Sequence, residues 1–123
     1  MKTQPLISLT LQELVAEFVA VSLQQERAER LLEQSKINRA VRRRFEIRDE
    51  LKCRDGDQRR MLRDLYDHPS SQVQLNAASS TLFHFPEEAR QKIEYLSRWE
   101  VGLVALEARR LLSALDKRGW VPT

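Results

Sequence analysis

The sequence predicts an all-α fold made of stacked helical hairpins, about six helices in 123 residues. Three observations carry that expectation. The first is composition: Leu, Ala, Glu, Gln and Arg dominate, and 3 Gly with 4 Pro are too few to turn an all-β chain. The second is periodicity, because apolar residues recur at helical spacing and nowhere alternate with period two over a useful length. The third is an internal offset. Leu62, Leu65, Val73, Leu75 and Ala77 each have an apolar counterpart 31 positions on, at Ile93, Leu96, Val104, Leu106 and Ala108. Two hairpins of one design account for it.

The elements follow in order. Thr10-Leu11-Gln12-Glu13 is a capping box, and Leu11, Leu14, Val15, Phe18 and Val19 recur behind it on one face, so a first helix runs from about Thr10 to about Gln24. QQERAERLLEQS either prolongs that helix or forms a short one of its own, and local pattern does not choose. A second helix spans about Ser35 to Arg54. Gly56 then supplies a left-handed stop and Asp57 a cap. A short third helix covers Gln58 to about Tyr66 with Met61, Leu62 and Leu65 inward, and Pro69 ends it at His68. The fourth spans about Ser70 to His84. Pro86-Glu87-Glu88 opens a fifth, because proline at the first position loses no bond and carboxylates suit the positive helix end. This fifth helix buries Ala89, Ile93 and Leu96. A sixth runs from about Val101 to Lys117 and stops in Lys117-Arg118-Gly119. Residues 1–9 and 119–123 are expected to be less ordered tails of a single domain covering 1–123.

The fourth segment shows why stacking is the expected arrangement. Val73, Ala77 and Thr81 make one packed face, and Leu75, Ala78, Leu82 and Phe85 another. A helix needs two apolar faces when it touches both its own partner and the adjoining hairpin, and small alanines let axes approach closely. The stretch from Leu62 to Ala78, L-x-x-L-x-D-H-P-x-x-x-V-x-L-x-A-A, resembles a HEAT-type repeat. The whole order of elements, including the Asn38-bearing second helix, the DHP turn and the PEEA start, resembles a small bacterial HEAT-like family known only as a domain of unknown function. The resemblance spans about Leu9 to Leu115. It implies an α-α superhelix and no established catalytic residues. Gln74 departs from the HEAT pattern, which places arginine there, and so does the neighbouring Asn76.

Charge and cysteine usage bound the class. With 21 Lys and Arg against 18 Asp and Glu, the net charge is +3, which permits an acidic partner without requiring one. Cys53 is alone, so neither an internal disulfide nor a cysteine zinc cluster can form, which fits a reducing cytoplasm. MKTQPLISLT has no apolar run of signal-peptide length, and LVAEFVAVSL, broken by Glu17, is too short to span a bilayer. A cytoplasmic protein with no membrane contact is expected.

The second helix, INRAVRRRFEIRDELKCR, is the most unusual segment. Ile37, Ala40, Val41, Phe45, Ile47 and Leu51 form an apolar arc into which Arg44 and Arg48 project. A buried guanidinium needs compensation. Either these two pair with carboxylates such as Glu13 or Glu17, or they line a concave surface and meet an acidic partner. Arg39, Arg42 and Arg43 with Glu46, Asp49 and Glu50 read as a solvated face. Arg54, Arg59, Arg60 and Arg63 add a basic region around the turn between helices two and three.

Catalysis finds little support in the sequence. Cys53 falls on the polar side of its helix with no histidine nearby in sequence. His68 closes a turn, and His84 belongs to a packed face. Asp64, Asp67 and His68 lack a further ligand at zinc spacing, and there is no phosphate loop or serine triad signature. The expected function is therefore a non-enzymatic, cofactor-free protein-binding module. An adaptor or a toxin-neutralising immunity protein is the kind the family resemblance implies. Its partner is another protein, a toxin or an acidic one, met through Asn38, Arg44, Arg48, Arg59, Arg60 and Arg63. The alternative is a nucleic-acid binder using the basic region of helices two and three. Against that alternative, no aromatic is interleaved with those arginines to stack bases.

Overall fold

The computed structural model describes residues 5–117 and 119–123. The first helix opens as its capping box dictates. Thr10 Oγ1 accepts from the Glu13 N–H at 3.1 Å, and Glu13 Oε1 accepts from the Thr10 N–H at 2.8 Å. From there α1 spans Leu11–Arg30, so QQERAER continues the helix. The buried residues Leu14, Phe18, Val21, Ser22, Gln25 and Ala28 step by one, three or four along its length, which keeps one stripe inward.

α1 stops in a Schellman motif. The Glu33 N–H reaches back to the Ala28 carbonyl at 2.9 Å and the Leu32 N–H to that of Glu29 at 3.2 Å. Leu32 occupies the left-handed position at φ 57°, where glycine is usual, and is 84% exposed. A side chain there strains the backbone and buries almost nothing. Leu32→Gly is therefore expected to stabilise the chain by about 0.5–1 kcal/mol after the extra freedom of the unfolded state is set against the relief. Thermal unfolding checks it, and a lower midpoint in the variant would contradict the strain assigned here.

α2, Gln34–Cys53, returns along α1 and contributes Ala40, Ile47 and Leu51 to the buried set. Just beyond it, the Arg54 guanidinium pairs with Glu50 at 2.6 Å and donates to the carbonyls of Leu6 at 3.2 Å and Leu9 at 2.9 Å. Residues 5–9, expected as part of a loose tail, are instead tied to α2 through a 3-10 turn at Leu6–Ser8. Residues 1–4 lie outside the described part. Gly56 takes φ 78°, as the left-handed stop required.

Backbone proximity divides the chain into two compact units, Met1–Met61 and Leu62–Thr123. The expected third helix is a 3-10 helix, Gln58–Asp67, that runs across this division. In a three-residue turn Leu62 and Leu65 stack along one edge. Arg59 and Leu62 are buried, while Met61 and Leu65 are only half-buried.

In the second unit, His68 Nδ1 accepts from the Ser70 N–H at 3.0 Å, and Ser70 Oγ accepts from the Val73 N–H at 3.3 Å, so the His-Pro turn and the helix cap are one device. Gln74, standing where a HEAT repeat has arginine, donates to the His68 carbonyl at 2.6 Å and ties down the same turn. α3, Ser71–Ser80, buries Val73, Leu75, Ala77 and Ala78 together with Gln72, whose amide donates to Asn76 Oδ1 at 3.0 Å. The two-faced pattern thus appears as a helix buried on nearly all sides. It is shorter than expected, because the Thr81 hydroxyl donates to the Ala77 carbonyl at 2.8 Å and ends it. That hydroxyl proton being committed, Tyr66 donates its own to Thr81 Oγ1. Burial raises the Tyr66 phenol pKa. His84, expected on a helical packed face, lies half-buried in the turn that follows, its ring edge-on to Phe83 at 5.2 Å.

α4, Pro86–Trp99, buries Ala89, Ile93 and Leu96, as the spacing implied. α5, Gly102–Asp116, packs along α4 and also touches α3. Arg90 joins α4 to α5, pairing with Glu94 and with Asp116 at 2.8 Å each. Its guanidinium holds the Asp116 carboxyl below the usual aspartate range. That contribution is present above the ordinary aspartate pKa and lost as pH falls below it, and solvent screens it at these exposures. Beyond α5, Gly119 takes φ 66° and the Trp120 N–H bonds to the Ala114 carbonyl at 3.1 Å, which turns the tail back although the indole stays 43% exposed. Arg118, part of the expected helix stop, lies outside the described residues. Trp99, the last residue of α4, is 71% exposed.

The chain is all-α: five α-helices and the 3-10 helix Gln58–Asp67 pack as hairpins, with no strand among the described residues. No helix among them is long and apolar enough to cross a membrane.

Candidate interaction surface on α2

From Gln34 to Phe45, α2 carries Lys36, Arg39, Arg42, Arg43 and Arg44 and no carboxylate. Its acids, Glu46, Asp49 and Glu50, all follow. The charges read as a mixed solvated face are mixed around the helix but segregated along it. The positive field therefore concentrates on the first three turns, a signal available in the sequence and missed there.

Phe45 was expected in the buried arc. It is 41% exposed instead, with the Arg44 guanidinium carbon 4.9 Å and that of Arg48 4.6 Å from its ring centroid. At about 100° per residue, Phe45 lies nearly opposite Ala40 and Ile47, which point at α1. The ring's negative face holds the two flanking cations at positions one before and three after it. An aromatic is thus interleaved with the arginines, contrary to the reading from sequence. Arg48 also donates to Asp49 Oδ1 at 3.0 and 3.1 Å. Its carboxylate is the neighbouring one, not Glu13, which is engaged in the helix cap, nor Glu17. Arg44 is half-buried.

Asn38 is exposed and accepts from Gln34 Nε2 at 2.9 Å. Seven residues before Phe45, it sits on the same side of α2, and Arg42 lies between them. The structure therefore groups Asn38, Arg44 and Arg48 around Phe45 and adds Arg42.

The other three expected contact residues fare differently. Arg59 is 6% exposed, with its guanidinium on Asp57 at 2.6 and 2.9 Å, so it offers no free surface. The Asp57-Arg59 spacing lets a left-handed Asp57, φ 53°, fold its carboxylate back over the next turn. Arg60 is exposed beside Gly56. Arg63 belongs to the second unit, where it pairs with Glu88 at 2.6 Å and stands over the Phe85 ring at 5.2 Å. The Glu88 hydrogen bond raises the Arg63 pKa further. Cys53 is an exposed free thiol. Among the described residues, no three His, Cys, Asp or Glu side chains gather where they could hold a metal ion.

Among solved structures, the chain is similar to the crystal structure of the protein RPA1889 from Rhodopseudomonas palustris CGA009. The two share 37% sequence identity with a TM-score of 0.93, over 98% of this chain and 100% of that one. No curated protein matches. A family model, described as a domain of unknown function (DUF2019), matches residues 12–116. With residues 12–116 of its 123 so matched, the chain belongs to the DUF2019 family.

Proposed function

We propose that this protein is a non-enzymatic, HEAT-like helical-repeat module of the cytoplasm that binds an acidic protein through the α2 surface of Asn38, Arg42, Arg44, Phe45 and Arg48. Phe45 carries the reading: an aromatic ring held in solvent between two guanidinium groups, on the half of α2 that has no carboxylate. Arginine and aromatic residues dominate the energetics of protein interfaces because they bury much area for few rotamers and make directional contacts. The ring here is already oriented by its neighbours, so a partner need not pay to order it. Within this reading the protein serves as an adaptor or as an immunity protein that neutralises a toxin, the kinds the family resemblance implied.

The test is affinity capture from the native host, with the captured protein identified and its complex then measured in purified form. A stoichiometric complex with an acidic protein is expected. Arg44→Glu with Arg48→Glu should weaken it by about a hundredfold or more, and Phe45→Ala by about tenfold or more. Helix content by circular dichroism should be unchanged. A complex indifferent to all three substitutions would remove this surface from the contact.

A second reading has one observation in its favour. The exposed Phe45 ring between guanidiniums is also a place for a nucleic-acid base to stack. That reading expects affinity to fall steeply with salt, with a log–log slope near the number of phosphates contacted. One ring is a short platform for a strand, and the protein partner is the preferred reading.

A further inference from the structure

A second feature of the first unit lies on another side of α2. At the closed end of the α1–α2 hairpin is a cleft of about 440 Å³ lined by Gln24, Arg27, Ala28, Glu33, Lys36, Arg39 and Ala40. Ala28 and Ala40, each 4% exposed, form its floor. Their small side chains leave space that larger residues would fill. The rim carries three cations and one carboxylate. Glu33 is engaged with Lys36 at 2.6 Å, whereas neither Arg27 nor Arg39 has an ion-pair partner among the described residues. Two guanidiniums from two helices therefore face one concavity with their charge uncompensated. Lys36 and Phe45 are nine residues apart and point to opposite sides of α2, so this cleft is separate from the surface proposed above.

We infer that this cleft binds a compact polyphosphate, a small molecule with two or more linked phosphate groups. Arginine forks suit phosphate oxygens bidentately, and a diphosphate offers enough acceptors for donors arriving from both helices, which a single carboxylate does not. The size falls within the roughly 300–1,000 Å³ of small-molecule sites. No aromatic side chain lines the cleft, so the phosphates themselves, not an attached base, are what this lining recognises.

The experiment is calorimetric titration of the full chain with inorganic pyrophosphate at about 0.15 M ionic strength. Saturable binding at one site per chain is expected. Arg27→Gln and Arg39→Gln should each weaken it by about fivefold or more, since each removes a charge-assisted contact. Glu33→Gln should tighten it, because it frees Lys36 and removes the one repelling carboxylate. Arg60→Gln, an exposed arginine elsewhere in the first unit, should change it less than twofold on the order expected for distant surface charges. These rim residues are exposed, and unchanged helix content would confirm that the variants fold. Three results overturn the proposal: no saturable binding, equal weakening by Arg60→Gln, which means diffuse surface charge, or no gain from Glu33→Gln. A single-stranded oligonucleotide that displaces pyrophosphate at lower concentration would reassign the cleft to a nucleic-acid backbone and equally overturn it. None of these outcomes depends on the α2 surface around Phe45, so the two proposals stand or fall separately.

Discussion

Phe18→Ala is expected to cost about 3–5 kcal/mol of stability, the largest loss of any single truncation in the first unit. Phe18 is the largest fully buried side chain among the described residues, at 0% exposure. It sits at the middle of α1, in the same inward stripe as Leu14 and Val21, while α2 brings Ala40, Ile47 and Leu51 to the buried set. Two helices held by so few large side chains cannot close over the void that a lost phenyl ring leaves. Domains of this size are stable by only about 5–15 kcal/mol, so the variant should approach the edge of folding. Denaturant unfolding followed by circular dichroism measures it. Phe45→Ala is the matched control, a phenyl ring lost from the same unit at an exposed position, and should cost a small fraction as much. Near-equal losses for the two would mean that Phe18 is not the centre of this core.

Asp57→Asn is expected to destabilise by about 2–3 kcal/mol, more than a surface charge could. Asp57 answers the guanidinium of Arg59, which is 6% exposed, through two contacts at 2.6 and 2.9 Å. Asparagine tolerates the left-handed backbone at this position, so the substitution removes the charge without adding strain. What remains is a buried cation facing a neutral amide. Arg59→Met in the Asp57→Asn background should recover most of the loss, because removing both charges leaves no buried ion to compensate. If the single variant unfolds at the same denaturant concentration as the parent, the pair is incidental. A double variant no better than the single one would mean that the arginine stem, not its charge, matters.

Much of the fold was legible because its signals are local. The capping box at Thr10, the proline and two glutamates at Pro86 and the glycine at 56 each act within one helical turn. Their effect does not depend on what lies across from them. The inward stripe of α4 was readable for a related reason, since Ala89, Ile93 and Leu96 are the only apolar face that helix has apart from its last turn. The stretch from Gln24 to Ser35 was not readable. Its helix stop uses a left-handed leucine where the sequence rule looks for glycine, and the two carbonyl bonds that hold it leave no mark on residue choice. The candidate surface was half legible. Arg44, Arg48 and Asn38 were identified, but Phe45 was assigned to the core because an aromatic at helical spacing usually belongs there. Arg59 was assigned to the surface because arginine usually belongs there.

The repeat marks the boundary between the two kinds of knowledge. Leu75 and Leu106 are the positions that the 31-residue offset pairs, and the sequence alone placed both on helices with small residues and a second apolar face. It also determined the all-α class, the main helix starts and the basic character of the second helix. Leu75 is 1% exposed and Leu106 is 41% exposed. α3 packs against both α4 and α5, whereas among the described residues no helix covers the α5 face that carries Leu106. Tertiary structure decided that difference, as it decided that Phe45 and Trp99 face solvent and that Arg59 is enclosed. A side chain's chemistry sets what burial would be worth, but only the position of neighbouring helices sets whether water is excluded.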